Sequence, residues 1–261
     1  METGDITSAA VVPADARARG RIVQKQAGVV FGLDAAAEAF SQSGAKDFVR
    51  QASEGQWHDG VPLGIALASG PARSLLAAER TALNLLCHLS GVATLTARFV
   101  AATEGTGATI LDTRKTTPGL RALEKAAVAA GGGSNHRMGL FDAILIKENH
   151  VAIAGGIAEA VSRARAAEPE REVEIECRTL AEVAEAFTAG ADRLLLDNMT
   201  PDQLRTAVAE RGDLKVAVEA SGGVTLENAH AVAESGVDFI SVGALTHSAP
   251  ALDLSMLVEP A

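Results

Sequence analysis

From residue 105 onward one pattern repeats: a short apolar run, a loop, then an amphipathic helix. The runs are ATILD (108–112), AILIK (143–147), EVEIEC (172–177), RLLLD (193–197), KVAVEA (215–220) and DFISVG (238–243). Between them lie helical segments such as PGLRALEKAAVAAG, TLAEVAEAFTAG, TPDQLRTAVAERG and TLENAHAVAESG. Several open on Thr, whose hydroxyl can accept a free N–H of the first turn, and close on Gly, which tolerates the left-handed geometry of a helix stop. Apolar runs joined by helices point to a parallel α/β barrel or a doubly wound sheet. There is no glycine fingerprint of the dinucleotide-binding kind after the first strand, and no Walker loop. Six units are fewer than the eight of a closed barrel, so residues 105–245 are read as an incomplete TIM-like α/β barrel.

The first third mixes types. GRIVQKQAGVVFG (20–32) reads as a strand, LDAAAEAFSQSG (33–44) as a short helix stopped by Gly44, and PLGIALASG (62–70) as a further strand. Residues 71–105 are strongly helical, with Pro71 in the first turn and Gly91 expected to mark a break or kink.

Composition excludes some function classes. The net charge of −10, the absence of Tyr and 3 % aromatics argue against a nucleic-acid partner. Cys87 and Cys177 lack metal spacing and suit a reducing compartment. METGDITSAAVV lacks the basic start and apolar run of a signal peptide, and no run of 18 apolar residues occurs. A cytoplasmic protein without membrane contact is expected.

The strand ends carry the functional signal. Nearly every run finishes on a polar residue: Asp112 with Arg114 and Lys115 beyond it, Lys147, Glu176, Asp197, Glu219 followed by SGG, and Gly243. One charged residue closing a strand is usually a solvated end. In a barrel, however, these ends converge on one mouth, where active sites sit. Arg114, Lys115, His136, Arg137 and Lys147 offer cations for carboxylate or phosphate. Glu176 and Asp197 can accept ribose hydroxyls or hold Mg²⁺ beside a pyrophosphate. Ser221, Gly222, Gly223 and Gly243 expose backbone N–H groups to phosphate. The implied ligand is polyanionic, with a sugar between its anionic ends.

Other residues fit less directly. Leu76, Arg80, Leu83 and Cys87 share one helical stripe, which places Arg80 among apolar neighbours. It reads either as a core ion pair or as a cation for an anionic ligand. Arg121 and Lys125 lie i, i+4 and read as a solvated face. His58, His88, His230 and His247 lack metal spacing, and His150 reads as a structural hydrogen-bonding residue.

ERTALNLLCHLSGVAT, LDTRKTTPGLRALEKAAVAAGGGSNHRMGLFDAILIKENH, EIECRTLAEV, LLLDNM and EASGGVTLENA with GVDFISVGALTHS together resemble the quinolinate phosphoribosyltransferase family, over residues 4 to 256. The resemblance implies transfer of phosphoribosyl from phosphoribosyl pyrophosphate (PRPP) to quinolinate, with decarboxylation, in NAD synthesis. It implies a mixed α/β sandwich domain over residues 1–104, to which 246–261 return, beside the barrel. It also implies a homodimer whose neighbouring subunit completes the site, with hexamers a further option. By resemblance, Arg80, Arg114, His136 and Arg137 form the quinolinate pocket, with Arg80 reaching into the partner's site. Lys115 and Lys147 lie between the substrates, Glu176 and Asp197 on the ribose and Mg²⁺ side, and Ser221, Gly222, Gly223 and Gly243 around the 5′-phosphate. Mg²⁺ with PRPP is expected, and no organic cofactor. Members of the family carry a longer segment ahead of GDIT, so any effect of the short start is expected in dimer assembly rather than barrel chemistry. Three other readings stay open: a sister phosphoribosyltransferase with another aromatic acceptor, a Schiff-base aldolase built on Lys147, and a binding protein on the same scaffold.

Overall fold

The computed structural model describes residues 4–261; the first three residues of the stretch inspected for a signal peptide lie outside the described residues. Contacts divide the chain into two compact units. One holds the described residues up to Ala97 with Ala122–Gly132 and Ala249–Ala261; the other holds Arg98–Arg121 and Gly133–Ser248. The chain begins with α1 (Ile6–Val11), β1 (Arg17–Gln24), β2 (Gly28–Val29), α2 (Leu33–Ser43), β3 (Asp47–Arg50), β4 (Trp57–His58), β5 (Leu63–Pro71) and α3 (Ala72–Ala102). It continues through β6 (Thr109–Leu111), α4 (Arg121–Ala130), β7 (Ile144–Ile146), α5 (Glu148–Ala154), α6 (Ile157–Ala167), β8 (Val173–Cys177) and α7 (Leu180–Ala189). Then come β9 (Arg193–Asp197), α8 (Pro201–Arg211), β10 (Ala217–Ser221), α9 (Ala229–Ala233), β11 (Phe239–Ser241), α10 (Ala244–His247) and β12 (Leu254–Pro260).

The first unit is built on an antiparallel sheet of order β12-β1-β5-β3. Its apolar face packs on α2 and α3, burying Ile22, Phe40, Ile65, Leu75 and Leu86 completely, with Leu252 and Leu254 joining them from the C-terminal segment. By length and composition α3 could cross a membrane, but half of its apolar window is buried inside the protein. The second unit is a parallel sheet of order β6-β11-β10-β9-β8-β7, all pairs parallel. All six expected runs are strands within two residues of their expected bounds. β6 and β7, consecutive in sequence, end the sheet order on opposite sides, so the barrel is incomplete. Thr179 and Thr200 cap α7 and α8 through reciprocal bonds with Glu182 and Gln203, and Gly190 ends α7 at φ 79°.

The barrel strands alternate strictly, and this positions the site. On β8, Val173, Ile175 and Cys177 are fully buried, and on β9 Leu194 and Leu196 are too. The intervening Glu174, Glu176, Arg193, Leu195 and Asp197 share the other face, as the period of two requires. Glu219 and Ser221 on β10, and Ser241 on β11, continue that face.

Several expectations are corrected. The strand expected over 20–32 is two strands, because the Gln24 side chain bonds to the carbonyls of Gln26 and Gly28 and turns the chain. The last expected helix, 225–236, shrinks to α9. Gly91 does not break α3; a Cβ there would meet the Pro250 carbonyl oxygen at 2.2 Å, so the glycine serves a close approach. The buried face of α3 carries Leu75, Ala78, Ala82, Leu83 and Leu86; of the expected stripe Leu83 is buried, Leu76 and Cys87 are part-buried, and Arg80 is exposed. The small alanines facing the sheet gave too weak a hydrophobic signal to mark that face. Arg121 and Lys125 are not a solvated pair. Lys125 is 2 % exposed. Arg121 donates to the Arg114 carbonyl at 3.2 Å and to Thr116 Oγ1 at 3.0 Å, fastening the loop after β6.

Candidate active site

The second unit contains a cavity of about 340 Å³ at the C-terminal ends of its strands. Arg114, Lys115, His136, Arg137, Lys147, Glu176, Asp197 and Ser221 are all among the residues that line it. Eight expected residues therefore meet in one place. Gly222 and Gly223 follow directly after β10, with φ of 89° and 63°. Gly243 stands at the start of α10, where a Cβ would lie 3.2 Å from Lys115 Cδ and 3.1 Å from His247 Nε2. Arg80 belongs to the first unit and is not among the lining residues.

Arg114 Nε is buried and finds no hydrogen-bond partner in the protein. Arg137 donates Nη1 to the Ala143 carbonyl at 3.2 Å. Burial, then the charge of Arg114, pull the Arg137 guanidinium below its ordinary pKa. Two guanidiniums repelling each other in a half-buried site is an arrangement a carboxylate relieves. Lys147 forms an ion pair with Glu176. Its backbone N–H donates to His150 Nδ1 at 2.9 Å, so His150 shapes the turn that presents the lysine.

Burial pushes Glu176 above the usual carboxylate range, the hydrogen bond to Glu148 adds to this, and the Lys147 ammonium opposes it. The nearby Asp197 charge raises it further. Two hard oxygen donors set against each other suit Mg²⁺, which takes one or two carboxylates and leaves its remaining positions to water and phosphate. Asn198 fixes Asp197. Its side-chain Nδ2 donates to Asp197 Oδ2 at 2.9 Å, and its N–H donates to the Ser221 carbonyl at 2.8 Å. Asn198 has a left-handed φ of 56°, which a short polar side chain tolerates better than most.

Sequence reasoning gave no place to Glu174 or Arg193, and it set Glu219 on the rim as a strand end without a role. Glu174, Arg193 and Glu219 lie deeper on the same strands, and His136 points into them: Nε2 is 3.2 Å from Glu174 Oε2 and 3.6 Å from Glu219 Oε2. Arg193 ion-pairs with both carboxylates and stacks over the Phe239 ring at 4.0 Å. Burial, then the Glu174 charge, push Glu219 above the usual carboxylate range, against Arg193 and His136. His136, Glu174 and Glu219 have ligating atoms within 4.8 Å of one another. The Arg193 guanidinium already supplies the positive charge a metal ion would bring there. His136 Nδ1 accepts the Arg137 N–H at 2.7 Å. Burial opposes a proton on this ring, but the Glu174 hydrogen bond and the charges of both carboxylates favour it more. A proton on Nδ1 would break the Arg137 bond, so the bonding observed is that of the Nε2–H form. The signal for this cluster was strand parity: Glu174 shares a face with Glu176, Arg193 with Asp197, and Glu219 with Ser221.

Known proteins match along nearly the whole chain. The family model described as quinolinate phosphoribosyl transferase, N-terminal domain, matches residues 5–90, and that for its C-terminal domain matches residues 92–257. A nicotinate-nucleotide pyrophosphorylase [carboxylating] of Mycobacterium leprae is 45 % identical over 259 residues, covering 97 % of this chain and 90 % of that protein. A probable nicotinate-nucleotide pyrophosphorylase of Bacillus subtilis is 43 % identical over 257 residues, covering 97 % and 88 %. The solved nicotinate-nucleotide pyrophosphorylase of Francisella tularensis superposes with a TM-score of 0.93 at 40 % identity, covering 99 % of this chain and 91 % of that one. With both domains matched in order, the chain belongs to the quinolinate phosphoribosyltransferase family.

Proposed function

We propose that this protein transfers the phosphoribosyl group of PRPP to the ring nitrogen of quinolinate, yielding nicotinate mononucleotide, pyrophosphate and CO₂ for NAD synthesis. The observation that carries this is one cavity lined by Arg114, Arg137 and Lys147 together with the Glu176 and Asp197 carboxylates. The two carboxylates of quinolinate match the cations. The ribose and pyrophosphate of PRPP match the carboxylates with Mg²⁺, which Glu176 and Asp197 would hold and which would neutralise pyrophosphate charge. The backbone of Ser221, Gly222, Gly223 and Gly243 would take the 5′-phosphate.

The pyridine nitrogen carries its own lone pair, so its attack on the anomeric carbon needs no general base. The bond from that carbon to pyrophosphate breaks, and its electron pair leaves with pyrophosphate. Glu176 and Asp197 lie where positive charge on the ribosyl centre would develop. With ribose attached, the ring is a pyridinium. The bond to the C2 carboxylate then breaks, CO₂ departs, its electron pair remains at C2 beside the charged nitrogen, and a proton from solvent replaces it. Lys115 and Lys147 serve as fixed positive charge. Holding both substrates in one orientation contributes on the order of several kcal/mol.

We further propose that the protein is a homodimer, able to form hexamers, in which the exposed Arg80 enters the neighbouring subunit's site, and that it works in the cytoplasm. The test is release of CO₂ and pyrophosphate with quinolinate, PRPP and Mg²⁺, run beside nicotinate and beside Arg114→Ala. The expected result is equimolar release with quinolinate alone, lost in the variant. Release of pyrophosphate without CO₂ from nicotinate, and none of either from quinolinate, would establish the sister-enzyme reading instead.

A further inference from the structure

On the cavity-facing side of the barrel strands lies charge to which the proposed reaction gives no role, Glu219 among the residues that line the cavity. Glu219 is 0 % exposed and Glu174 is 3 % exposed. Arg193 reaches both, and its guanidinium is backed by the Phe239 ring. One guanidinium against two carboxylates leaves a buried surplus of negative charge, a costly state unless another donor faces it. That donor is His136 Nε2. His136 enters from the loop between α4 and β7, and its own N–H donates to Asp112 Oδ1 at 2.9 Å. Its Nδ1 receives the Arg137 N–H. Both ring nitrogens are therefore engaged within the protein, one downward and one along the loop.

We propose that Glu174, Arg193 and Glu219 are positioning residues for the acceptor: they hold the His136 ring, and the ring sets the backbone from which Arg137 reaches the acceptor carboxylate. This rests on the acceptor reading of Arg137 given above. In this proposal the cluster acts on quinolinate through His136. A rigid element fixes such a loop better than the loop fixes itself, and here three strands supply the anchor: β8, β9 and β10.

The test measures KM for quinolinate, KM for PRPP and kcat in Glu174→Gln and Arg193→Lys, with direct calorimetric titration of quinolinate onto each protein. Glu174→Gln keeps the shape and removes one charge; Arg193→Lys keeps the charge and removes the two-pronged grip. The expected result is a quinolinate KM and dissociation constant raised by about tenfold to a hundredfold, with PRPP KM within about twofold. Should one variant not fold, the other decides. Loss of thermal stability with both KM values unchanged would make the cluster a structural core only and overturn the proposal, as would equal losses for both substrates. Wild-type protein that turns over quinolinate in either case leaves the function standing. Wild-type protein that binds no quinolinate overturns both readings.

Discussion

A methyl group added at Gly222 would fall 2.3 Å from Asn198 Oδ1 and 2.6 Å from its Cγ, in a backbone with φ of 89°. Two costs follow. The left-handed geometry is worth roughly 1–2 kcal/mol against alanine. Displacing a side chain that is bonded to Asp197 is an overpacking cost of about 1–3 kcal/mol. Gly222→Ala should therefore lose on the order of 2–5 kcal/mol and lower the melting temperature by roughly 5–15 °C. Moving Asn198 also moves Asp197 and the turn after Ser221, so the KM for PRPP should rise about tenfold while that for quinolinate changes less. The decisive assay is a double-mutant cycle with Asn198→Gly. Glycine accepts the left-handed backbone and removes the obstructing amide. In that background the second substitution should keep only the strain, giving a coupling of about 1–3 kcal/mol. Additivity within about 0.5 kcal/mol would show that the two residues do not oppose each other as described.

Three further outcomes are expected. Gly91→Ala should destabilise despite the roughly 1 kcal/mol that alanine gains over glycine in a helix, because its Cβ would meet Pro250 backbone at 2.2 Å; denaturant melts beside Ala77→Gly, which calibrates the propensity on the same helix, check the sign. Burial pushes the fully buried Cys177 thiol up to about 12, so at pH 8 it should resist thiol reagents until the protein is unfolded, whereas the part-buried Cys87 is the first to label; mass spectrometry of digests reads this out. Burial would raise the Asp192 carboxyl, but its bonds from Arg165 and the Val173 N–H at 2.7 Å outweigh that and hold it below the usual range. The stability it contributes is present above the unfolded value of about 3.9 and lost as pH falls through the lower folded value, so the gap between wild type and Asp192→Asn should close in acid melts.

The barrel was readable because each strand is a short apolar run, and several of the helices between them open on a Thr cap and close on a Gly stop. The rim was readable because a strand end is also a position in space: Lys147, Glu176 and Asp197 each close a run. What lay inside the barrel was harder. Glu174 and Arg193 look like solvated strand starts, and only the parity with Glu176 and Asp197 places them in the interior. Lys125 misled for a different reason. It follows Glu124, which is 0 % exposed and meets His88 Nε2 at 2.7 Å, so α4 buries charges where its i, i+4 spacing suggested solvent. That partner lies 36 residues away in sequence, and no local pattern carries the pairing. Arg80 was misplaced because α3 buries alanines, which give less signal than the leucines beside them.

The alternation along β8, β9 and β10 also limits how this chain can vary. One side of each strand is aliphatic and braces the helices; the other is ionic and serves the mouth. A single residue inserted into or deleted from such a strand would exchange the two sides downstream, driving Glu176 or Asp197 into the aliphatic layer and Leu196 into the mouth. Length changes are therefore confined to the connections, and two viable lineages should differ in loops while keeping the spacing from Glu174 to Glu176 and from Arg193 to Asp197 intact.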